Sequence, residues 1–135
     1  MTWLKNYVRT TTIGGGSGGG GTGTSKTIVV RARGTSGQES VTLRIGSTAV
    51  KTWTLSTTMT NYTISTTASG GSQVQFTNDA TGRDVQVDYL SVNGSVRQAE
   101  QQTYNTGVWQ NNACGGGTGR SEWLNCNGAI GFGDL

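Results

Sequence analysis

The sequence predicts an all-β fold: a single-domain β-sandwich with almost no helix. The first observation behind this is the composition, because 23 Gly, 32% hydrophobic and only 13% charged residues in 135 are typical of short strands joined by many turns. The second is an alternation of apolar and polar residues with period two, without any stretch of the 3.6-residue periodicity that helices need. A chain of this length has room for one hydrophobic core.

Five segments alternate with the period of a half-buried strand. They read TIVVRAR, ESVTLRIGSTAVKTWTL, NYTIST, QVQFTN and RDVQVDYLSVNG. Gly46 and Ser47 predict a tight hairpin within the second segment, and the glycines of residues 69–72 separate the next pair. Such spacing is typical of a sandwich or barrel. The predicted core residues are Val41, Leu43, Ile45, Trp53, Leu55, Ile64, Val74, Phe76, Val85, Val87 and Tyr89.

The chain divides into three parts. Residues 14–25, GGGSGGGGTGTS, predict a flexible linker, because Gly and Ser cannot offset the entropy lost on ordering. The folded module is therefore expected to span residues 26–135. Residues 1–13 form a leader of unknown role with no continuous apolar run, which predicts neither a signal peptide nor a membrane span. We expect the chain to be part of a longer secreted protein.

Charge and residue usage exclude several functions. The net charge is +3, but the ten basic residues are scattered, which argues against nucleic-acid binding. The chain has no His, so Ser-His-Asp hydrolysis and the common zinc sites are excluded. Six of the seven acidic residues lie between residues 79 and 135, and that half of the chain is where a metal is expected.

Cys114 and Cys126 are the two cysteines of the chain. The segment between them is too rich in Gly and polar residues to be a buried packing element, which predicts a disulfide, with two free thiols as the alternative. A disulfide here would stabilise by about 3 kcal/mol in the chain-entropy model and indicates an oxidising compartment such as the extracellular space. The irregular stretch that it braces is a predicted binding surface.

Asp79 and Asp84 lie five residues apart around Thr81 and Gly82 in NDATGRD. A tight turn there would bring both carboxylates to one point, where a hard cation would relieve their repulsion. Calcium fits best, because it accepts six to eight oxygen ligands in flexible geometry, including carbonyls such as that of Arg83. The same spacing also allows a solvated acidic loop or an Asx-turn.

Two further features suggest chemistry. Asp88 alternates with apolar residues and is expected to face away from the core, where it would meet Glu100 as a second carboxylate pair or remain a partnerless surface group. Trp109 lies in the polar loop NTGVWQNN, and its flat ring is expected to stack on a sugar face or, alternatively, to cover the end of the sandwich. For Trp123, inside the cystine loop, packing is expected.

The motifs NDATGRD, NTGVWQN and SEWLNCNG resemble carbohydrate-binding module family 60, and the resemblance extends over residues 26–135. It implies a β-jelly roll with a ligand-binding calcium and a structural calcium. It also implies attachment to a secreted xylanase, and a preference for xylan with tolerance of galactans and cello-oligosaccharides. Modules of this family look like circular permutants of family 36.

The resemblance also implies residue roles. Asp79 and Asp84 would bind the ligand-site calcium through their side chains and Arg83 through its carbonyl, with Trp109 as the stacking aromatic. The implied ligands of the structural calcium are Asp88, Gln98, Glu100 and a carbonyl near Arg120.

The sequence therefore predicts a secreted, non-catalytic, monomeric module that binds xylan through a calcium ion chelated by the sugar O2 and O3 hydroxyls. It would target an attached glycoside hydrolase to the plant cell wall, without nucleic-acid or membrane partners.

Two other functions compete with this prediction. One is a small glycoside hydrolase using two carboxylates among Asp79, Asp84, Glu100 and Glu122, although bound calcium opposes the raised pKa of a general acid. The other competitor is a calcium-stabilised structural or adhesin-type domain that binds no glycan.

Overall fold

The computed structural model describes residues 24–135, which form two β-sheets packed face to face. The predicted leader and residues 14–23 of the predicted linker lie outside the described residues. The first seven strands are β1 (Lys26–Gly34), β2 (Ser40–Ile45), β3 (Thr48–Thr54), β4 (Thr60–Thr66), β5 (Gly71–Phe76), β6 (Val85–Val92) and β7 (Ser95–Gln98). The later strands are β8 (Trp109–Gln110), β9 (Ala113–Cys114), β10 (Trp123–Leu124) and β11 (Gly128–Asp134). The helical content of residues 24–135 is one 3-10 turn, Ala99–Gln101.

All strand pairs are antiparallel. In the first sheet β6 pairs with β1, which in turn pairs with β4, while the other edge of β6 is shared by β10 and β7. The second sheet has the order β11-β5-β2-β3, and β8 and β9 form a separate ribbon. The predicted all-β sandwich is confirmed. No helix within residues 24–135 has the length and apolar character needed to cross a membrane.

The core lies between the two sheets and matches the prediction except at Tyr89. Trp53 and Ile64 are partly buried against it, and the remaining predicted core residues are buried. The prediction for Tyr89 is wrong because β6 contains a β-bulge: Arg31 pairs with Tyr89 and Ala32 with Val87, so the residue between them has no partner. The extra residue shifts the alternation by one position, and Leu90 is buried instead.

A hairpin, a crossover between the sheets and a set of disulfide-braced loops connect the strands. The predicted hairpin joins β2 to β3 at Gly46, whose φ of +61° is natural for glycine. Residues 67–70 connect β4 in the first sheet to β5 in the second. The disulfide between Cys114 and Cys126 is present as predicted, and it braces the loops between the 3-10 turn and β11.

Candidate functional site

The connection between β5 and β6 contains the predicted tight turn. The Arg83 N–H donates to the Ala80 carbonyl oxygen at 3.0 Å, and Gly82 has a φ of +78°, as the third position of a type II turn requires. We call residues 79–84 the acidic turn. Asp79 and Asp84 flank its hydrogen-bonded centre, as the sequence predicts.

The main chain at both ends of the acidic turn is hydrogen-bonded to other segments. Asp79 N–H donates to Asn127 Oδ1 at 2.9 Å. Asp84 N–H donates to Thr35 Oγ1 at 3.0 Å, and the Asp84 carbonyl accepts from Thr35 N–H at 3.0 Å. In contrast, no hydrogen bond or ion pair within residues 24–135 uses a carboxylate oxygen of Asp79 or Asp84. Both side chains are therefore available as oxygen ligands.

The side chain of Arg83 connects the acidic turn to neighbouring residues. Its guanidinium donates to the Asn78 carbonyl at 3.1 Å and to Gln38 Oε1 at 2.8 Å. Among residues 24–135 the Arg83 carbonyl accepts no hydrogen bond. The carbonyl is thus the group of Arg83 that is available to a metal.

Asp84 also lines an open cleft of about 460 Å³. The lining combines two indoles with polar side chains and includes Asp84, Trp109, Gln110, Ser121, Trp123 and Asn125. The acidic turn and the predicted stacking residue therefore belong to one surface feature. A cleft that combines aromatic walls with several polar side chains suits a sugar chain, whose ring faces are apolar and whose edges carry hydroxyls.

Trp109 presents an exposed ring on a fixed main chain. Its side chain is 59% exposed, which agrees with the expected exposure. Its N–H donates to Asn125 Oδ1 at 2.9 Å, and it pairs across the β8–β9 ribbon with Cys114, whose sulfur is bonded to Cys126. The ring therefore faces solvent from a position that the disulfide and the ribbon hold in place.

Trp123 combines packing with exposure to the cleft. It is partly buried in β10, and the Arg33 guanidinium lies 5.6 Å from its ring centroid. A cation over an indole face is attracted by the ring quadrupole. The expected packing role is present, and the same indole contributes to the cleft wall.

Asn105 is a buried polar residue that sequence reasoning missed. It is 5% exposed, and its Oδ1 accepts from the N–H groups of Gly107 and Val108 at 3.0 and 2.9 Å. Its Nδ2 donates to the Trp123 carbonyl at 3.0 Å. Asn105 thus joins the loop before Trp109 to the strand that carries Trp123. In the sequence it is one of several Asn residues in polar loops, which gives no signal.

Glu39 is a fully buried carboxylate that sequence reasoning also missed. It is 0% exposed, and it accepts hydrogen bonds from the N–H groups of residues 36–38, from Thr35 Oγ1 and from Asp84 N–H. Burial raises the pKa of Glu39, but the backbone and hydroxyl donors outweigh burial and lower the pKa from 4.5 to about 2. A Cβ at Gly34 would collide with this carboxylate.

The residues predicted for a structural calcium form what we call the second cluster: Asp88, Gln98, Glu100 and Arg120. The Asp88 carboxylate is engaged, with Oδ2 3.2 Å from Arg31 Nε. Glu100 is exposed on the 3-10 turn.

Gln102 joins two members of the second cluster. Its Nε2 donates to the Gln98 carbonyl at 2.9 Å, and its own carbonyl accepts from Arg120 N–H at 2.8 Å. Within residues 24–135, no three acidic, Cys or His side chains are grouped closely enough to hold a metal by themselves. Side-chain amides, carbonyls or water would therefore have to complete either site.

The comparisons with known proteins identify one family. The family profile for CBM60, described as a Ca-dependent, xylan-binding carbohydrate-binding module, matches residues 27–106, more than half of the chain. The chain is 75% identical over 108 residues to endo-1,4-beta-xylanase Xyn11B of Cellvibrio japonicus, covering 80% of this chain and 30% of the relative. It is 56% identical over 106 residues to a bifunctional xylanase/xylan deacetylase of the same organism, covering 78% of this chain and 16% of the relative.

Solved structures show the same fold. A structure of vCBM60 in complex with galactobiose is 64% identical, with a TM-score of 0.79, covering 81% of this chain and 99% of that chain. A second vCBM60 structure is described as linking two families of calcium-dependent carbohydrate-binding modules by circular permutation. It has the same identity and TM-score and is covered to 91%.

The region that the family profile matches contains the acidic turn, whereas Trp109 and the rest of the cleft lining lie beyond its end at residue 106. The chain spans less than a third of the two xylanases that it resembles, which fits a module of a larger enzyme. Both enzymes come from a bacterium. The predicted family is confirmed: this chain belongs to carbohydrate-binding module family 60, a family of calcium-dependent, xylan-binding modules that are not themselves catalytic.

Proposed function

We propose that the acidic turn holds a calcium ion through Asp79, Asp84 and the Arg83 carbonyl, and that xylan binds across this ion and the Trp109 ring. One observation supports the proposal above the others. Among residues 24–135, the turn uses its main chain for hydrogen bonds and leaves its two carboxylates unpaired, and Asp84 lines the same cleft as the exposed Trp109 indole.

The available groups fit calcium. Two carboxylates and one carbonyl are hard oxygen ligands, and three such groups leave several of the six to eight coordination positions to water. Calcium held there would offer those positions to the adjacent O2 and O3 hydroxyls of a xylose unit in exchange for water. Because a vicinal diol occurs in many sugars, the same residues would also accept galactan or cello-oligosaccharides, and affinity would be modest.

Trp109 supplies the second contact. Its ring is exposed and its main chain is held by Asn125 and the disulfide-braced ribbon, so little freedom is lost when a sugar ring stacks on it. Because Asp84 and Trp109 line the same cleft, one sugar would lie at the turn while a neighbouring sugar stacks on the indole.

The second cluster is proposed to hold a separate, structural calcium through Asp88, Gln98, Glu100 and a carbonyl near Arg120. It lies where β6, β7 and the 3-10 turn meet, and Gln102 already connects two of its segments. An ion there would fasten the irregular loops to the first sheet without contacting glycan.

The proposed context is a secreted enzyme that degrades plant polysaccharide. The curated relatives are xylanases, the disulfide indicates an oxidising compartment, and residues 14–25 would link the monomeric module to a glycoside hydrolase domain. In this arrangement the module raises the concentration of the hydrolase at the polymer surface.

Affinity electrophoresis on xylan, with calcium and then with a chelator, tests the proposal. Calcium-dependent retardation is the expected result. Unchanged retardation in chelator would overturn the role of the acidic turn. A melting temperature that rises with calcium but not with any polysaccharide would instead identify a purely structural domain.

A further inference from the structure

The geometry points to Glu39 as a positioning residue for the acidic turn: we propose that this buried anion sets calcium affinity without contacting the ion or the glycan. The inference rests on the proposed calcium site. Glu39 belongs to the β1–β2 connection, residues 35–39. This connection and Ser40, the first residue of β2, together form what we call the brace. The brace lies about 45 residues before the acidic turn in sequence and directly against it in the fold.

Glu39 is not itself available to a metal, because its two oxygens already have donors. Thr35 Oγ1 lies 3.0 Å from Oε2, and the N–H groups of residues 36–38 and of Asp84 lie between 2.9 and 3.2 Å from one or other oxygen. A carboxylate offers about four lone-pair sites, so these donors saturate it. This separates Glu39 from Asp79 and Asp84, whose oxygens have no partner within residues 24–135.

The donors fall into two groups. Those of residues 35–38 come from the brace itself, so the anion holds the brace in one shape. The remaining donor is the Asp84 N–H, at 3.2 Å. Thr35 doubles this link, because its hydroxyl accepts from the same Asp84 N–H at 3.0 Å and also lies 3.1 Å from the Gly82 carbonyl.

The other end of the brace holds the other side of the turn. Gln38 Oε1 accepts from the Arg83 guanidinium at 2.8 Å, and the Gln38 carbonyl accepts from Asn78 Nδ2 at 2.9 Å. Ser40 N–H donates to Asn78 Oδ1 at 2.8 Å. Once Glu39 fixes the brace, the brace therefore fixes both ends of the segment that places the two calcium-ligating aspartates.

The charge of Glu39 is part of this role. Hydrogen bonds to an ionised acceptor are shorter and about twice as strong as neutral ones, so a neutral amide of the same shape would hold the donors less tightly. An amide would also direct its NH₂ group at N–H donors. The brace would then relax, and Asp84 would lose its fixed distance from Asp79.

The test uses Glu39→Gln, with Asp134→Asn as a control that changes the net charge equally. Asp134 is exposed and pairs with Gly71 at the opposite end of β5. Calcium alone is titrated by calorimetry without glycan, and the ion of the acidic turn is identified as the one lost in Asp84→Asn. Loss of a supporting contact of this kind typically lowers metal affinity about 10- to 100-fold, and we expect a loss in that range for Glu39→Gln and none for Asp134→Asn.

A second readout separates positioning from simple stabilisation. Xylan affinity of Glu39→Gln should recover when calcium saturates the weakened site. If Glu39→Gln lowers the melting temperature of the calcium-depleted protein while the calcium Kd at the turn equals that of the wild type, Glu39 only stabilises the fold and the inference is wrong. If Asp84→Asn itself leaves calcium and xylan binding intact, the proposed function fails instead.

Thr35→Val decides the question should Glu39→Gln not fold. This variant keeps the buried carboxylate and removes the hydroxyl that donates to Glu39 and accepts from Asp84, so it weakens the connection between the anion and the turn. A loss of calcium affinity of about 3- to 10-fold is expected, and wild-type affinity would overturn the inference.

Discussion

The acidic turn and the second cluster use their polar groups in opposite ways. At the acidic turn, main-chain groups and the Arg83 guanidinium make the internal hydrogen bonds, and the carboxylates of Asp79 and Asp84 remain unpaired. At the second cluster, the Asp88 carboxylate pairs with Arg31 and the Gln98 carbonyl accepts from Gln102. In the proposed division of roles, the region that would bind glycan keeps two carboxylates unpaired, whereas the region that would hold a structural ion already engages the Asp88 carboxylate internally.

The largest expected difference between the two regions is in glycan affinity. Asp84→Asn or Asp79→Asn should lower xylan affinity by more than about 100-fold, because loss of a direct ligand costs more than the 10- to 100-fold typical of supporting residues. Asp88→Asn should leave affinity within about 2-fold. Calorimetry with xylo-oligosaccharides in excess calcium measures both. Equal losses in the two variants would show that the regions do not divide binding and structure as proposed.

Low pH should reduce the stability of the protein by protonating Glu39, which supports the acidic turn. The folded pKa of about 2 lies below the ordinary value of 4.5, so the stabilisation is fully present above pH 4.5 and is lost as the pH falls through about 2. The free energy of unfolding of calcium-depleted protein should therefore fall by up to about 3 kcal/mol across this window. Urea unfolding at several pH values measures it, and Glu39→Gln should show a flatter dependence.

The Trp109 ring should matter to glycan and not to metal. Trp109→Ala should lower xylan affinity about 10-fold, the size expected for one stacking contact, while the calcium Kd and the melting temperature stay close to those of the wild type. Tyr104, also about half exposed at 51% but not among the residues lining the cleft, provides the matched control as Tyr104→Ala. A similar loss in both variants would contradict a specific platform at Trp109.

The smallest effect is expected in the stability of the second cluster without calcium. The Arg31–Asp88 ion pair is about one-third exposed on each side, and such pairs contribute less than about 1 kcal/mol. Asp88→Asn should thus change the unfolding free energy of calcium-depleted protein only slightly. With calcium added, the rise in melting temperature should be smaller than in the wild type. An undiminished rise would exclude Asp88 as a ligand of the structural ion.

Features with local signals were predictable from the sequence. The acidic turn has two aspartates around Thr81-Gly82 within six residues, and the disulfide follows from two cysteines around a glycine-rich segment. Strand alternation predicted most of the core. Tyr89 was predicted wrongly because a β-bulge arises from the pairing of two strands that are distant in sequence. A single inserted residue switches every later side chain of β6 to the opposite face of the sheet.

Glu39 and Asn105 were not predictable for a related reason. Glu39 begins an alternating segment as an ordinary polar residue, and one of the groups that surround it, the Asp84 N–H, lies 45 residues further along the chain. Asn105 is buried by contacts to a strand 18 residues away. Their roles depend on which loops contact one another at one end of the sandwich. Residue spacing does not predict these contacts.

The brace has a consequence for protein engineering. The hexapeptide from Asp79 to Asp84 contains the proposed calcium ligands but not the groups that hold its ends, since those come from Gln38, Thr35 and Asn127. Grafting the hexapeptide onto another scaffold would transfer the ligands without the hydrogen-bonding partners that hold them in position. A transplant that keeps its function would need the brace and Asn127 as well, which means moving three segments of the chain together as one unit.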